Sequence, residues 1–111
     1  MSSSTAMRSR LPARRASETF GFQCNGLHYL ATVSFFSDGR LAEIFLSTAK
    51  AGSDSDSAAK DSAVVASIAL QYGVPLEIIS HALLREASGR ASSPLGQALD
   101  LIAEQGIRGV P

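Results

Sequence analysis

The hydrophobic pattern of this chain changes period near residue 47, from two to about 3.6, and that switch restricts the architectures open to it. Before the switch, Leu27, Tyr29, Ala31, Val33 and Phe35 alternate with His28, Thr32 and Ser34, the repeat of a strand with one buried face. Leu30 and Phe36 interrupt the polar side, so the second face is expected to be partly covered. The preceding stretch, Thr19 to Cys24, ends at Asn25-Gly26. Both residues of such a pair accept positive φ cheaply, which favours a two-residue hairpin. Asp38-Gly39 marks a second turn, after which Leu41 to Ser47 places Ala42, Ile44 and Leu46 on one face. Leu41, Glu43 and Phe45 fall on the other. Together the three segments predict an antiparallel meander.

Beyond Ser47, Gly52-Ser53-Asp54 opens a long helical repeat with Ala58, Val65, Ala69 and Tyr72 on one face, widened by Val64 and Ile68. Gly73 stands where a left-handed cap residue is favoured. Pro75 suits the first turn of a second helix, where its missing N–H costs nothing. Leu76, Ile79 and Leu83, flanked by Ile78, Ala82 and Leu84, make that helix strongly apolar. The short break predicts that the two helices pack against each other. Ser93-Pro94 reads as an N-cap followed by an N1 proline, opening a third helix through Leu95, Ala98, Leu99 and Ile102 to about Gly106. The expected fold is α+β, a three-stranded antiparallel meander followed by three helices packed on one face. Its open face would carry Leu30, Phe36, Leu41 and Phe45, enough apolar surface for a homodimer through that face.

Charge divides the chain in two. Arg8, Arg10, Arg14 and Arg15 precede residue 17, while all ten acidic residues lie from Glu18 onward. The start therefore carries +4, and the rest, with six of the ten basic residues, 6 − 10 = −4. Residues 1–17, rich in Ser and Arg, have too little apolar surface to offset the entropy of ordering and are expected to form a flexible tail. One domain is expected over 18–106, with a C-terminal tail at 107–111. No apolar run reaches the roughly 20 residues of a membrane span, and no signal-peptide block is present, so a cytoplasmic protein is expected. Four tail arginines without aromatic neighbours predict at most a weak, salt-sensitive contact with nucleic acid.

The most chemical-looking segment is Lys50-Ala51-Gly52-Ser53. Amides at a helix start, a cation and a glycine suit a phosphate or carboxylate, so Lys50, Gly52 and Ser53 form a candidate anion site. The second glycine and the Lys-Ser/Thr pair of a P-loop are missing. The competing reading is a helix cap, with Ser53 or Asp54 satisfying free amides, and Asp54 and Asp56 would repel an anion. Asp54, Asp56 and Asp61 lack EF-hand spacing and suit the positive end of a helix dipole. His28 and His81 have no nucleophile and orienting group at readable spacing, so no catalytic residue is assigned. Cys24 is the only cysteine, which excludes an internal disulfide and favours a structural role.

Three stretches in order carry a resemblance: Leu41 to Ser53, Asp61 to Glu77 ending Gly73-Val74-Pro75-Leu76-Glu77, and Gly89 to Gly96 containing Ala91-Ser92-Ser93-Pro94-Leu95. Over roughly residues 20 to 105 the chain resembles the TSCPD domain, found near the C-terminus of adenosylcobalamin-dependent ribonucleotide reductases and as short stand-alone proteins. The resemblance implies a non-catalytic accessory or binding module, acting with a reductase in deoxynucleotide synthesis. The alternative is a small nucleic-acid- or phosphate-binding protein using the arginine tail and the Lys50–Ser53 loop. The reductase reaction needs a barrel domain, a cobalamin site and several cysteines, so it is not carried over, and no cofactor is expected. The family's Thr-Ser-Cys-Pro-Asp run, whose cysteine underlies its proposed metal binding, corresponds to Ala91–Leu95, with Ser93 in the cysteine's place. A hydroxyl replaces a soft thiolate poorly, so no metal is expected.

Overall fold

The computed structural model describes residues 7–13 and 15–106. Its order is β1 (Ser17–Cys24), β2 (Leu27–Phe35), β3 (Leu41–Thr48), α1 (Asp54–Gln71), α2 (Leu76–Ala82) and α3 (Pro94–Gln105), the expected α+β arrangement. The sheet is antiparallel in the order β1-β2-β3, with Phe22 opposite Tyr29 and Val33 opposite Ile44. The Asn25-Gly26 turn uses positive φ at both residues, 51° and 80°, as the hairpin chemistry requires. Tyr29, Ala31, Val33, Phe35, Ile44 and Leu46 form the buried face of the sheet. Ala59, Ala63, Ala66 and Leu70 of α1 and Leu95, Ala98, Leu99 and Ile102 of α3 complete the same core.

Two expectations about faces need correcting. Phe36 is buried outside the core cluster, with the Arg40 guanidinium 4.7 Å from its ring centroid, and Leu41 is buried in the core, not on the open face. The β2–β3 register shifts between Ser34 and Phe35, and an added residue in one strand reverses which parity points inward. The second correction concerns α1. Ala58 is exposed, as are Val64, Val65, Ile68 and Tyr72, whereas the helix buries its alanines. Small side chains let the helix lie close to β3, and the bulky residues are left outside.

The reason lies in the polar residues that α1 also buries, Asp56, Ser67 and Gln71. β3 is an edge strand, and its outward backbone groups need partners once a helix covers them. Gln71 Nε2 donates to the Ala42 carbonyl at 3.0 Å. Ser67 Oγ accepts from the Ile44 N–H at 2.9 Å and donates to the Ile44 carbonyl at 3.0 Å. The Thr48 N–H donates to Asp56 Oδ1 at 3.0 Å. The helix thus closes the sheet edge with side chains, as a fourth strand would with backbone.

The predicted pairing of α1 with α2 also needs correction: α2 makes its main helix contact with α3. It is short, ends at Ala82, and leaves Ile78 and Leu84 exposed. Arg85 explains its direction. The guanidinium holds both carboxylate oxygens of Asp100 on α3 at 2.8 Å, and Ser80 Oγ donates to the same carboxylate at 3.1 Å. At α3, Ser93 Oγ accepts from the Gly96 N–H at 3.1 Å, Pro94 follows at the first turn, and Gly106 closes the helix at φ 63°.

Candidate functional site

Three surfaces carry polar or exposed features of functional interest. The first is the entry to α1, where the candidate residues Lys50, Gly52 and Ser53 lie. The Gly52 N–H donates to Asp56 Oδ2 at 3.0 Å, and Lys60, one turn further on, reaches the same oxygen at 2.9 Å. Ser53 Oγ accepts from the Asp56 N–H at 3.2 Å and donates to the Lys50 carbonyl at 2.8 Å. Gly52 adopts φ 80°, which lets its amide turn toward the carboxylate. The sequence-predicted residues are therefore brought together, around an anion that the chain itself supplies. The Lys60 ammonium, with the Thr48 and Gly52 N–H groups, holds the Asp56 carboxyl well below the usual carboxylate range. Only backbone atoms of Lys50 take part in these bonds. Asp54 lies in the first helical turn, and Asp61 is exposed further along. Asp56 was missed as the organising residue because its partners come from Thr48 and Lys60 as well as the loop.

The second surface is the open face of the sheet. Leu30 is 46% exposed and Phe45 51%, and with Thr32, Lys60 and Val64 they line a cleft of about 340 Å³. Val65, Ile68 and Tyr72 extend the exposed apolar surface along α1. The third is the turn between α2 and α3, where Arg85, Arg90, Gln97 and Glu104 line a more polar cleft with Phe22 and Gln23 of β1.

The other singled-out residues have local tasks. His28 lies across Gly21, where an added Cβ would meet its ring at 2.9 Å, so the imidazole covers the gap left by a strand glycine. Its Nδ1 lies 3.4 Å from Gln23 Nε2. His81 is exposed near the end of α2. Cys24 is a buried free thiol whose pKa is pushed up by burial, in keeping with a small core side chain. Ser93 spends its oxygen capping α3. Among the described residues no three His, Cys, Asp or Glu side chains converge as a metal-ligand group. A capping hydroxyl without neighbouring thiolates does not fit a soft metal.

In the tail, Arg8 Nε donates to Gln71 Oε1 at 2.6 Å and the Ser9 N–H to the Gln71 carbonyl at 2.7 Å. Arg15 pairs with the buried carboxylate of Glu43 at 2.8 Å. Arg14 and the segment 107–111 lie outside the described residues. No helix among them is long and apolar enough to cross a membrane.

A meander closed on one edge by a long helix, with α3 behind it and an exposed apolar patch in front, defines a small α+β domain. The chain belongs to the TSCPD domain family, whose pattern matches residues 2–105 and so takes in most of the arginine-rich start. Similar proteins include the vitamin B12-dependent ribonucleotide reductase of Rhodopirellula baltica, 42% identical over 72 residues, which are 65% of this chain and 7% of that protein. The enzymes of the same name from Streptantibioticus cattleyicolor and Agrobacterium fabrum are each 37% identical. Those alignments cover 64% and 63% of this chain, and 12% and 6% of the relatives. The matched part of this chain thus spans only a small fraction of each relative's length. No solved structure matches the chain significantly.

Proposed function

We propose that this chain is a non-catalytic accessory module that binds a B12-dependent ribonucleoside-diphosphate reductase and acts with it in the supply of DNA precursors in the cytoplasm. The observation that carries the reading is the Leu30–Phe45–Val64 patch, exposed on a domain whose relatives match it within much longer chains. An apolar patch of this kind suits a protein contact. The occupant proposed for it is the reductase polypeptide.

The test is calorimetric titration of the full chain against a B12-dependent reductase from the same genome, with nucleotide reduction assayed in parallel. Binding that Phe45→Asp abolishes, while far-UV circular dichroism stays unchanged, supports the proposal. Absence of binding at tens of micromolar, a range typical of weak transient contacts, sinks it. Should Phe45→Asp instead dissociate a homodimer of the free chain, the face serves a second copy. Nucleic acid as partner is the weaker alternative, since Arg8 and Arg15 already engage Gln71 and Glu43. Retardation of DNA that disappears with residues 1–16 would favour it. A phosphate ligand at Lys50, Gly52 and Ser53 would have to displace the Asp56 carboxylate from the Gly52 amide.

A further inference from the structure

The two edges of the sheet are finished differently. On β3, Ala42, Ile44 and Thr48 hand their outward backbone groups to Gln71, Ser67 and Asp56. The alternation of an antiparallel ladder then fixes the far edge. Ile44 turns outward, so its partner Val33 bonds to β1, as do Ala31 and Tyr29. The N–H and C=O groups of Ser17, Thr19, Gly21 and Gln23 are left pointing away from the sheet. Among the described residues, no backbone or side-chain hydrogen bond reaches them.

Natural edge strands are usually blunted by lysine, proline, a bulge or shortness. β1 has eight residues, pairs with β2 without a register shift, contains no proline or basic residue, and carries one charge, Glu18. It is a regular strand with a free hydrogen-bonding edge.

We propose that β1 pairs antiparallel with β1 of a second copy of this chain, around a two-fold axis, to form a continuous six-stranded sheet. With Gly21 on the axis, Thr19 faces Gln23 of the second copy and Phe20 faces its Phe22. Phe20 is only partly buried in the single chain and lies beside Phe22, with ring centroids 6.2 Å apart. Pairing covers it and continues the row Phe20, Phe22, Tyr29 across the junction. Charge fits the same register. Glu18 falls opposite Cys24 of the second copy, at the end of β1 where Arg90 lines the cleft beside Phe22 and Gln23. The two Glu18 carboxylates stand roughly 20 Å apart along the strands, beyond the screening length at physiological salt. A two-fold pairing is self-complementary, which suits a second copy better than an unrelated strand. This interface leaves the open apolar face free, so it does not depend on the reductase reading.

The test is light scattering on the full chain from about 10 to about 500 μM, the range in which small interfaces associate. A concentration-dependent dimer is expected. Thr19→Pro removes an N–H that points outward and leaves the β1–β2 ladder intact. It should weaken the dimer by about tenfold or more, since the two-fold axis removes this hydrogen bond from both copies. The double variant Thr19→Lys/Gln23→Lys sets like charges opposite each other across the junction and should do the same, even if the proline variant folds poorly. Phe45→Asp should leave the dimer unchanged. A monomer at every concentration, a dimer surviving both edge variants, or a dimer lost with Phe45→Asp would each overturn the proposal.

Discussion

Asp56 concentrates more of this structure in one side chain than any other polar residue of the α1 entry. Its carboxylate joins the end of β3, the loop and the second turn of α1 through Thr48, Gly52 and Lys60. Asparagine has nearly the same shape, but its amide would turn a donor toward backbone N–H groups that need an acceptor. Asp56→Asn is expected to lower the melting temperature by roughly 5–15 °C. The pH dependence has a definite sign. The folded-state pKa is depressed, so the stabilisation is fully present above the unfolded value, about pH 4, and is lost as pH falls through the folded pKa. Melts recorded from neutral pH into acid should converge for wild type and Asp56→Asn at the acid end; parallel curves would show that the carboxylate's charge is not what matters. Ser93 has a simpler task. Ser93→Ala removes the acceptor for the Gly96 N–H and should cost about 1 kcal/mol in denaturant unfolding. A cost near zero would return Ser93 to the list of functional candidates.

At the scale of elements, α1 shows what periodicity can and cannot read. Choosing the bulkiest apolar stripe selects Val64, Val65, Ile68 and Tyr72, all of which are exposed. The helix instead buries Ala59, Ala63, Ala66 and Leu70, with Ser67 and Gln71 on the sheet edge. A helix that must approach an edge strand closely favours small residues for distance and polar ones for backbone partners, and hydropathy scores both types as weakly buried. Two substitutions test this. Ala63→Leu, at a position 1% exposed, should overpack the contact with β3 and cost about 1–3 kcal/mol. Ser67→Ala strands the Ile44 N–H and C=O and should cost a similar 1–3 kcal/mol, roughly the penalty for unsatisfied buried groups. Val65→Ala, at 67% exposure, serves as the near-neutral control. If Val65→Ala proves the most damaging of the three, the face assignment is wrong.

Across the whole molecule, local chemistry was legible and long-range chemistry was not. Asn25-Gly26, Ser93-Pro94 and Gly106 carry their instructions within a few residues, and the turns and caps they encode stand where the chain pattern puts them. The bulge at Ser34/Phe35 and the Arg85–Asp100 pair depend on how separate elements meet, and no spacing rule announces them. Of the Asp56 network only the i,i+4 partner Lys60 follows from spacing, while the Thr48 amide comes from the end of β3. The Lys50–Ser53 loop is the intermediate case: its polarity was readable, the internal anion that uses it was not. The division of charge into a basic start and an acidic body belongs here too. Arg15 meets Glu43, which is only 7% exposed, while Arg15 itself keeps about a third of its side chain in water. Removing the arginine leaves a buried carboxylate without its ion pair, yet partial solvation tempers the loss. Arg15→Met, which keeps the aliphatic stem, should therefore cost about 1–2 kcal/mol, between the surface and fully buried limits. Glu43→Gln in the same background should recover part of that loss by removing the stranded charge. The pair is only partly shielded, so raising ionic strength should shrink the gap between wild type and Arg15→Met. Denaturant titrations at low and high salt decide the matter: a gap that is absent at both would mean that the basic start and the acidic body are not held together through this contact.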